Sequence, residues 1–520
     1  MSLLPDVEGL LAKARGVANL ERHRSGYLPT QQDATILFDQ AQTLDDLDRQ
    51  LASEIARLTE LRTRVQTQDS IRRSILSPAR RLPPEIWSEI FLQALPDNWA
   101  LMHAGMRPLG LAQVCYAWRT IALQTPRLWT NLSICTHSDP RAPVYKPAVI
   151  KEELERTGRA PLHLSLAMSS VEGDAIPQTH PWNPEIWSLV CAEASRWETV
   201  LIDNYALDAF SLHAGLEFPA LRNVAWWTEG IDDPDAEYEL PLSFFANAPT
   251  LDFLRIAYQV PPVRLLPPSS WSLAELHITS GDQGIEEDKP PIAPCIPFIL
   301  ACSATLRICN IWSEMAGSFP ENQAPISFPA LEELYLDCAA VHLCRLISAP
   351  KLRIVHLADF ALDHREQPVD EFGAFVNLLR NSSNCPSLRQ LALYNLNCTA
   401  QRMVRCLRQL PSIEKLSVEN NMLFDFEDPP VSLHSIHALT RDGTRASDDL
   451  LPQLVDLELQ YKYGGPPRTG REDDAVRHMV ESRLRLRERD GEALACLGKF
   501  YCDSDDKSLR TLVERNTVGR

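Results

Sequence analysis

The chain has 520 residues, 45% of them hydrophobic, and its 51 Lys and Arg against 69 Asp and Glu give a formal net charge of −18. That length holds several packed regions, and the acidic balance argues against nucleic acid as a partner, since that footprint needs clustered cations. The thirteen cysteines include no CxxC pair, so they indicate neither a disulfide framework nor a zinc module and suit a reducing compartment. Residues 1–35 offer one weak helix, around Val7 to Leu20, before a break at Gly26 and Pro29, and receive no role. Asp6 and Glu8 stand where a leader would be basic, and no apolar run reaches the roughly 20 residues that span a bilayer. A soluble cytoplasmic or nuclear protein without membrane contact is therefore expected.

From Thr43 the pattern becomes regular. Leu44, Leu51, Leu58 and Val65 fall seven apart, with Leu47 and Leu61 three residues after two of them, although Glu54 interrupts the second set. Residues 36–68 thus read as a short coiled-coil helix. Such a stripe is satisfied either by this chain's own following helices or by self-association.

The next fifty residues predict three short helices. Pro83, Pro84 and Glu85 make a helix start, because prolines fit a first turn and an anion suits the dipole there; Ile86, Trp87, Ile90 and Phe91 follow at helical spacing. Leu109, Leu111, Val114 and Cys115 form a second helix. Trp118, Ile121 and Ala122 form a third, which ends at Thr125-Pro126 because the residue before proline leaves the helical region. Three such helices bury a limited core alone, so an apolar face is expected to await a partner. Leu82-Pro83, Glu85-Ile86, Ile90-Phe91, Val114-Cys115, Trp118-Arg119, Ile121-Ala122 and Leu128-Trp129, in that order and spacing, resemble an F-box, in the form found in F-box proteins of mushroom-forming fungi. The upstream Ser77-Pro78-Ala79-Arg80-Arg81 looks like their lead-in. Two departures are the long loop from Leu92 to Arg107 and Tyr116, which stands where a basic residue is common. The resemblance implies a Skp-type adaptor as partner, and through it a cullin-RING ubiquitin ligase. The adaptor would be held by Leu82, Pro83, Glu85, Ile86, Ile90, Phe91, Val114 and Trp118 of an F-box over 78–132.

Past this region a Leu-x-x-Leu-x-Leu-like unit, often preceded by Pro-x, recurs about every twenty to forty residues. Clear copies are Leu221-Val224-Trp226, Leu251-Leu254-Ile256, Leu273-Leu276-Ile278, Leu306-Cys309-Ile311, Leu331-Leu334-Leu336, Leu352-Val355-Leu357, Leu388-Leu391-Leu393, Ile413-Leu416-Val418 and Leu454-Leu457-Leu459. Looser copies are Leu162-Leu164-Leu166, Trp197-Val200-Ile202 and Leu433-Ile436-Ala438. Helices are predicted between them at Ile186–Ser195, Ile296–Cys302, Val341–Ile347, Glu371–Leu379 and Ala400–Leu410. One strand and one helix per unit, with Cys338 or Asn395 closing the strand, resembles a leucine-rich repeat. The fold expected is therefore α/β: a coiled-coil helix and a three-helix F-box, then an irregular leucine-rich-repeat solenoid over 133–465 with parallel strands and outer helices. Residues 228–239 and 281–294 read as acidic solvated loops. An amphipathic helix over Asp473–Arg483, with Val476, Met479 and Val480 inward, and an apolar piece over Ala493–Tyr501 read as a C-terminal cap over 466–520.

Side chains alternate along a strand, so residues beside the second and third apolar positions face the open side of such a sheet. This places Trp227, Phe253, Arg255, Trp312, Tyr335, His356, Tyr394, Lys415, Asp456 and Glu458 on one surface, and its aromatics suit a binding hot spot for a target protein. The first seven of these are the candidate substrate-binding residues. No nucleophile elbow, phosphate loop or metal cluster is legible. Cys302, Cys309, Cys338 and Cys344 read as core residues, His434 and His437 as residues of a strand, and Asp363 to Glu366 as a polar loop; no cofactor or metal is implied. Two readings stay open at this point: a non-catalytic substrate-recognition subunit of an SCF-type ubiquitin ligase, or an interaction scaffold whose F-box is structural.

Overall fold

The computed structural model describes residues 7–95, 109–137, 146–169, 183–203, 215–228, 242–258, 266–280, 293–313, 324–359, 370–420, 428–441, 449–461, 470–485, 488–489 and 492–502. The chain divides into two compact units, residues 1–90 and 91–520.

The first unit is helical. Helix α1 spans Val7–Val17, α2 spans Leu20–Arg24, and α3 runs unbroken over Gln31–Leu76, 46 residues and so about 69 Å at 1.5 Å per residue. A reciprocal cap starts α3: the Asp33 N–H donates to Thr30 Oγ1 at 3.2 Å, and the Thr30 N–H donates to the Asp33 carboxylate at 3.3 Å. Along the first half of α3 the covered positions are Asp33, Leu37, Gln40, Leu44, Leu47, Leu51 and Glu54, alternately four and three apart. That is a heptad seam, and α1 packs against α3. The packing partner seen for the first half of the stripe is therefore the preceding helix α1, and neither of the two expected partners. From Ile55 to Leu76 every residue is exposed. The predicted coiled-coil span of 36–68 is a segment of this longer helix. A 3₁₀ turn over Pro78–Arg81 follows, and helix α4, Pro84–Gln93, crosses the boundary between the units.

The second unit opens with helices α5, Leu109–Val114, and α6, Tyr116–Leu123, so the three short helices expected here are present. Trp129 Nε1 donates to the Ala122 carbonyl at 2.8 Å, closing α6 onto the 3₁₀ turn Pro126–Leu128. Thirteen strands then form one sheet among the described residues, and every pairing within it is parallel. They are β1 Asn131–His137, β2 Leu162–Ser169, β3 Trp197–Asp203, β4 Asn223–Thr228, β5 Phe253–Tyr258, β6 Glu275–Ser280, β7 Ile308–Ser313, β8 Glu333–Cys338, β9 Ile354–Ala358, β10 Gln390–Tyr394, β11 Lys415–Glu419, β12 Asp456–Gln460 and β13 Lys499–Cys502. Their order in the sheet is their order in the chain, so each unit stacks on its predecessor, a solenoid-like α/β arrangement. The helices between strands include α7 Pro147–Thr157, α8 Pro184–Cys191, α9 Ile296–Ala301, α10 Glu371–Asn381, α11 Ala400–Leu407 and α12 Leu433–Leu439; α13 is Gly470–Arg485.

Register explains why the repeat works. The first apolar position of each strand aligns across the sheet, for example Leu276, Cys309, Leu334, Val355, Leu391, Leu416 and Leu457, and the second aligns two residues later. Both rows are buried with the helices in one continuous core. Where β3 and β4 pack, that core is aromatic: Trp197 lies 5.2 Å from Phe218, and Phe218 lies 5.3 Å from Phe244 and 5.2 Å from Phe245, ring centre to ring centre. Cys338 and Asn395, at the ends of β8 and β10, are buried and both take the left-handed conformation with φ of 56°.

Three expectations are corrected. Leu433–Leu439 is a helix and not a strand: Ser435, Ile436 and Leu439 are its buried residues, and Ser432 with Ser435 caps it reciprocally. His434 and His437 accordingly sit on a helix. The stretch expected to be helical over Val341–Ile347 is a 3₁₀ turn over Ala339–Arg345, followed by the short strand Ile347–Ser348 paired with Ile326–Ser327. The strand Asn131–His137 follows the 3₁₀ turn Pro126–Leu128, where no strand was expected. The tail gives a helix longer than the expected Asp473–Arg483, with Val476, Met479 and Val480 all at 0% exposure, and the last strand of the sheet, β13. The loop Asp363 to Glu366, and nearly all of the acidic stretches 228–239 and 281–294, lie outside the described residues.

Candidate functional site

Two surfaces gather the candidate residues. In the first, α4 carries apolar side chains on two faces. Trp87 and Phe91, four apart, are buried at 9% and 1% exposure, and Trp87 Nε1 donates to the Ala79 carbonyl at 3.1 Å. Leu82, Ile86 and Ile90, also four apart, are 38%, 48% and 41% exposed, with Pro83 and Glu85 exposed beside them. Phe91 therefore serves packing, its ring 5.0 Å from that of Trp118, which is itself half-buried. Val114 on α5 is 60% exposed. Of the eight residues expected to hold an adaptor, Leu82, Pro83, Glu85, Ile86, Ile90 and Val114 are accessible, and Phe91 is not.

The second surface is the face of the sheet turned away from the helices. All seven candidate substrate-binding residues fall on it, because each occupies a strand position alternate to the buried rows. Arg255, His277, Asn310, Tyr335, His356 and Ala392 align as neighbours on successive strands from β5 to β10. Trp227, Trp312, Asp337 and Tyr394 lie on the row two residues further along, with Phe253, Glu275, Glu333, Lys415 and Asp456 on the row before. Toward β1 the central row of the same face is buried, at Ser165, Leu201 and Ala225, and it becomes accessible at Arg255 on β5.

Side chains along this part are already organised. The Arg255 guanidinium lies 5.4 Å from the Trp227 ring centre, a cation–π contact. Phe253 stands 5.2 Å from His277, whose Nε2 is 2.6 Å from Glu275 Oε1. His356 lies between two tyrosines, 6.0 Å from Tyr335 and 5.1 Å from Tyr394, and 3.6 Å from the Asp337 carboxylate. Burial pushes the Asp337 carboxyl up to about 6 and holds His356 below its ordinary value. Burial, together with the Tyr335 O–H donated to Glu333 at 2.8 Å, pushes the Tyr335 phenol up to about 12. Glu275, His277, Glu333, Asp337 and Glu419 were not among the sequence candidates. Each stands beside the second or third apolar position of its strand, so the same alternation applied to every strand would have included them.

The remaining candidates serve structure. Burial pushes the Cys302 and Cys309 thiols up to about 12, so both behave as small hydrophobes and not as nucleophiles. Cys338 and Cys344 are buried likewise. Among the described residues no group of three His, Cys, Asp or Glu is placed to hold a metal ion, and no helix is long and apolar enough to cross a membrane. In comparison with known proteins, no family model matches this chain, and no curated protein matches it.

Proposed function

We propose that the protein is a substrate-recognition subunit of an SCF-type cullin-RING ubiquitin ligase. In this reading the F-box segment over 78–132 holds a Skp-type adaptor, and a leucine-rich-repeat solenoid holds the target protein on its open face. The chain itself performs no covalent chemistry. It acts by proximity: tethering a target lysine near the charged conjugating enzyme raises the effective concentration of the reacting groups.

The observation that carries the reading is the stripe of Leu82, Ile86 and Ile90, exposed on α4 and the turn before it while Trp87 and Phe91 of the same helix are buried. A short helix that, with the turn before it, leaves three large aliphatic side chains in water, in a segment whose sequence resembles an F-box, has the makings of an adaptor contact. The sequential parallel sheet adds support, since stacked strand-plus-helix units are the architecture of leucine-rich repeats. The experiment is co-expression with a Skp-type adaptor, followed by size-exclusion chromatography of the wild type and of Leu82→Ala/Pro83→Ala. A one-to-one complex that the double variant loses is the expected result. A wild-type chain that elutes alone, folded and monodisperse, would point instead to a scaffold whose three short helices are structural.

A further inference from the structure

We infer that the open face from β6 to β12 receives an extended cationic segment of a partner protein, whose arginine or lysine side chains lie over Trp312, Tyr335 and Tyr394 and between the carboxylates beside them. The inference rests on the receptor reading above and adds the chemistry of what is received.

Three observations carry it. The first is charge: among the described residues, the open-face positions of β6 to β12 carry Glu275, Glu333, Asp337, Glu419, Asp456 and Glu458 against a single formal cation, Lys415. The second is how these carboxylates are held. Glu333 accepts the Tyr335 O–H at 2.8 Å, and Glu458 accepts the Ser417 O–H at 2.9 Å and the Gln460 amide at 2.7 Å. Neutral donors fix a carboxylate in place without cancelling its charge, so the negative potential stands organised before any partner arrives. Asp456 faces that cation, with Lys415 Nζ at 3.9 Å. The third is the aromatic rings interleaved with those charges. Arg255 over Trp227 on the adjoining strands, at 5.4 Å, is the same contact made within the chain.

Geometry fixes the form of the partner. The seven strands from β6 to β12 are separated by six steps of about 4.8 Å, a width of about 29 Å, which an extended segment of about nine residues at about 3.3 Å each would cross. Alternate side chains of such a segment point to the same side, so every second residue would reach the sheet.

The test is fluorescence anisotropy with the full chain at physiological salt. The probes are a labelled nine-residue peptide alternating arginine and serine, and its counterpart with glutamate for arginine. The arginine peptide is expected to bind saturably and the glutamate peptide not at all. Glu333→Gln/Glu458→Gln and Trp312→Ala should each weaken binding at least tenfold. Glu155→Gln/Glu185→Gln, which removes the same charge from α7 and α8, should leave it within twofold. The isosteric glutamine pair keeps the test valid if Trp312→Ala unfolds. No arginine-peptide binding, or equal losses in the two glutamine pairs, would overturn the inference, the second result meaning bulk attraction only. Adaptor co-elution of the same preparations separates the two ideas: a complex with adaptor but no dependence on the open face sinks this inference alone, and the reverse sinks the ligase reading alone.

Discussion

Arg483 offers the most demanding check of how the sheet is closed at its C-terminal end. It lies on the face of α13 that carries Val476 and Val480, is 0% exposed, and donates to the carbonyls of Leu439 at 2.7 Å, Leu450 at 2.6 Å and Leu451 at 3.2 Å. One guanidinium thus answers the orphan carbonyl at the end of α12 and two in the turn before β12. In Arg483→Met all three carbonyls lose their donor, at about 1–3 kcal/mol each. Against that stands relief of burying a cation, a real cost here: burial, aided by the nearby charge of Arg441, pulls the Arg483 guanidinium down to about 9. The net loss is about 3–5 kcal/mol, the range for removing one member of a buried charged network. Urea unfolding should read it directly, and amide exchange should show the segment from α12 through β13 losing protection first. Arg483→Lys should recover only part, because one ammonium cannot serve three carbonyls with the planar fork of arginine. A methionine variant within 0.5 kcal/mol of wild type, with unchanged exchange, would mean that the three carbonyls do not depend on Arg483.

Two further outcomes follow from the same physics. With the Asp337 carboxyl raised by burial to about 6 from an ordinary 3.8, the folded chain binds that proton more tightly than the unfolded chain. Stability from this residue therefore declines as pH climbs from about 4 to about 6 and stays reduced above. Asp337→Asn should raise stability by about 1–2 kcal/mol at pH 8 and by almost nothing at pH 4, read by thermal melts at the two values. Gly373 sits where a Cβ would clash with the Asp370 carboxylate, and Asp370 caps α10 by accepting the Gly373 N–H at 2.9 Å while pairing with Arg402 at 3.0 Å. Gly373→Ala should displace that cap and cost about 1–2 kcal/mol in denaturant titrations, whereas an unchanged midpoint would mean that the cap contributes nothing.

The repeat was legible because its two apolar positions, two residues apart, both face the helices, so spacing alone identified the strands and, by alternation, the open face. Leu433-Ile436-Ala438 misled because three apolar residues spread over six positions satisfy a strand or a helix equally; the serine cap at Ser432 was the deciding signal. Asn131–His137 was hidden because Leu128, Trp129 and Leu132 read as the end of the preceding helices. On α4 the four apolar residues were visible but their division was not: nothing local distinguishes Phe91, which is buried, from Ile90, which is 41% exposed. Arg483 was within reach, seven residues after Val476 and three after Val480, yet a charged residue on an apolar stripe is ordinarily assigned to solvent.

In the proposed function Leu82, Ile86 and Ile90 form a docking stripe for a Skp-type adaptor. Calorimetric titration of purified adaptor into the full chain, with wild type beside Ile86→Ala/Ile90→Ala, tests it most directly. Truncating buried anchors often costs about 2 kcal/mol or more in total, so one-to-one binding weakened at least about thirtyfold in the variant is expected. Equal affinity for wild type and variant, or no heat with a wild-type chain that is folded and monodisperse alone, would contradict it.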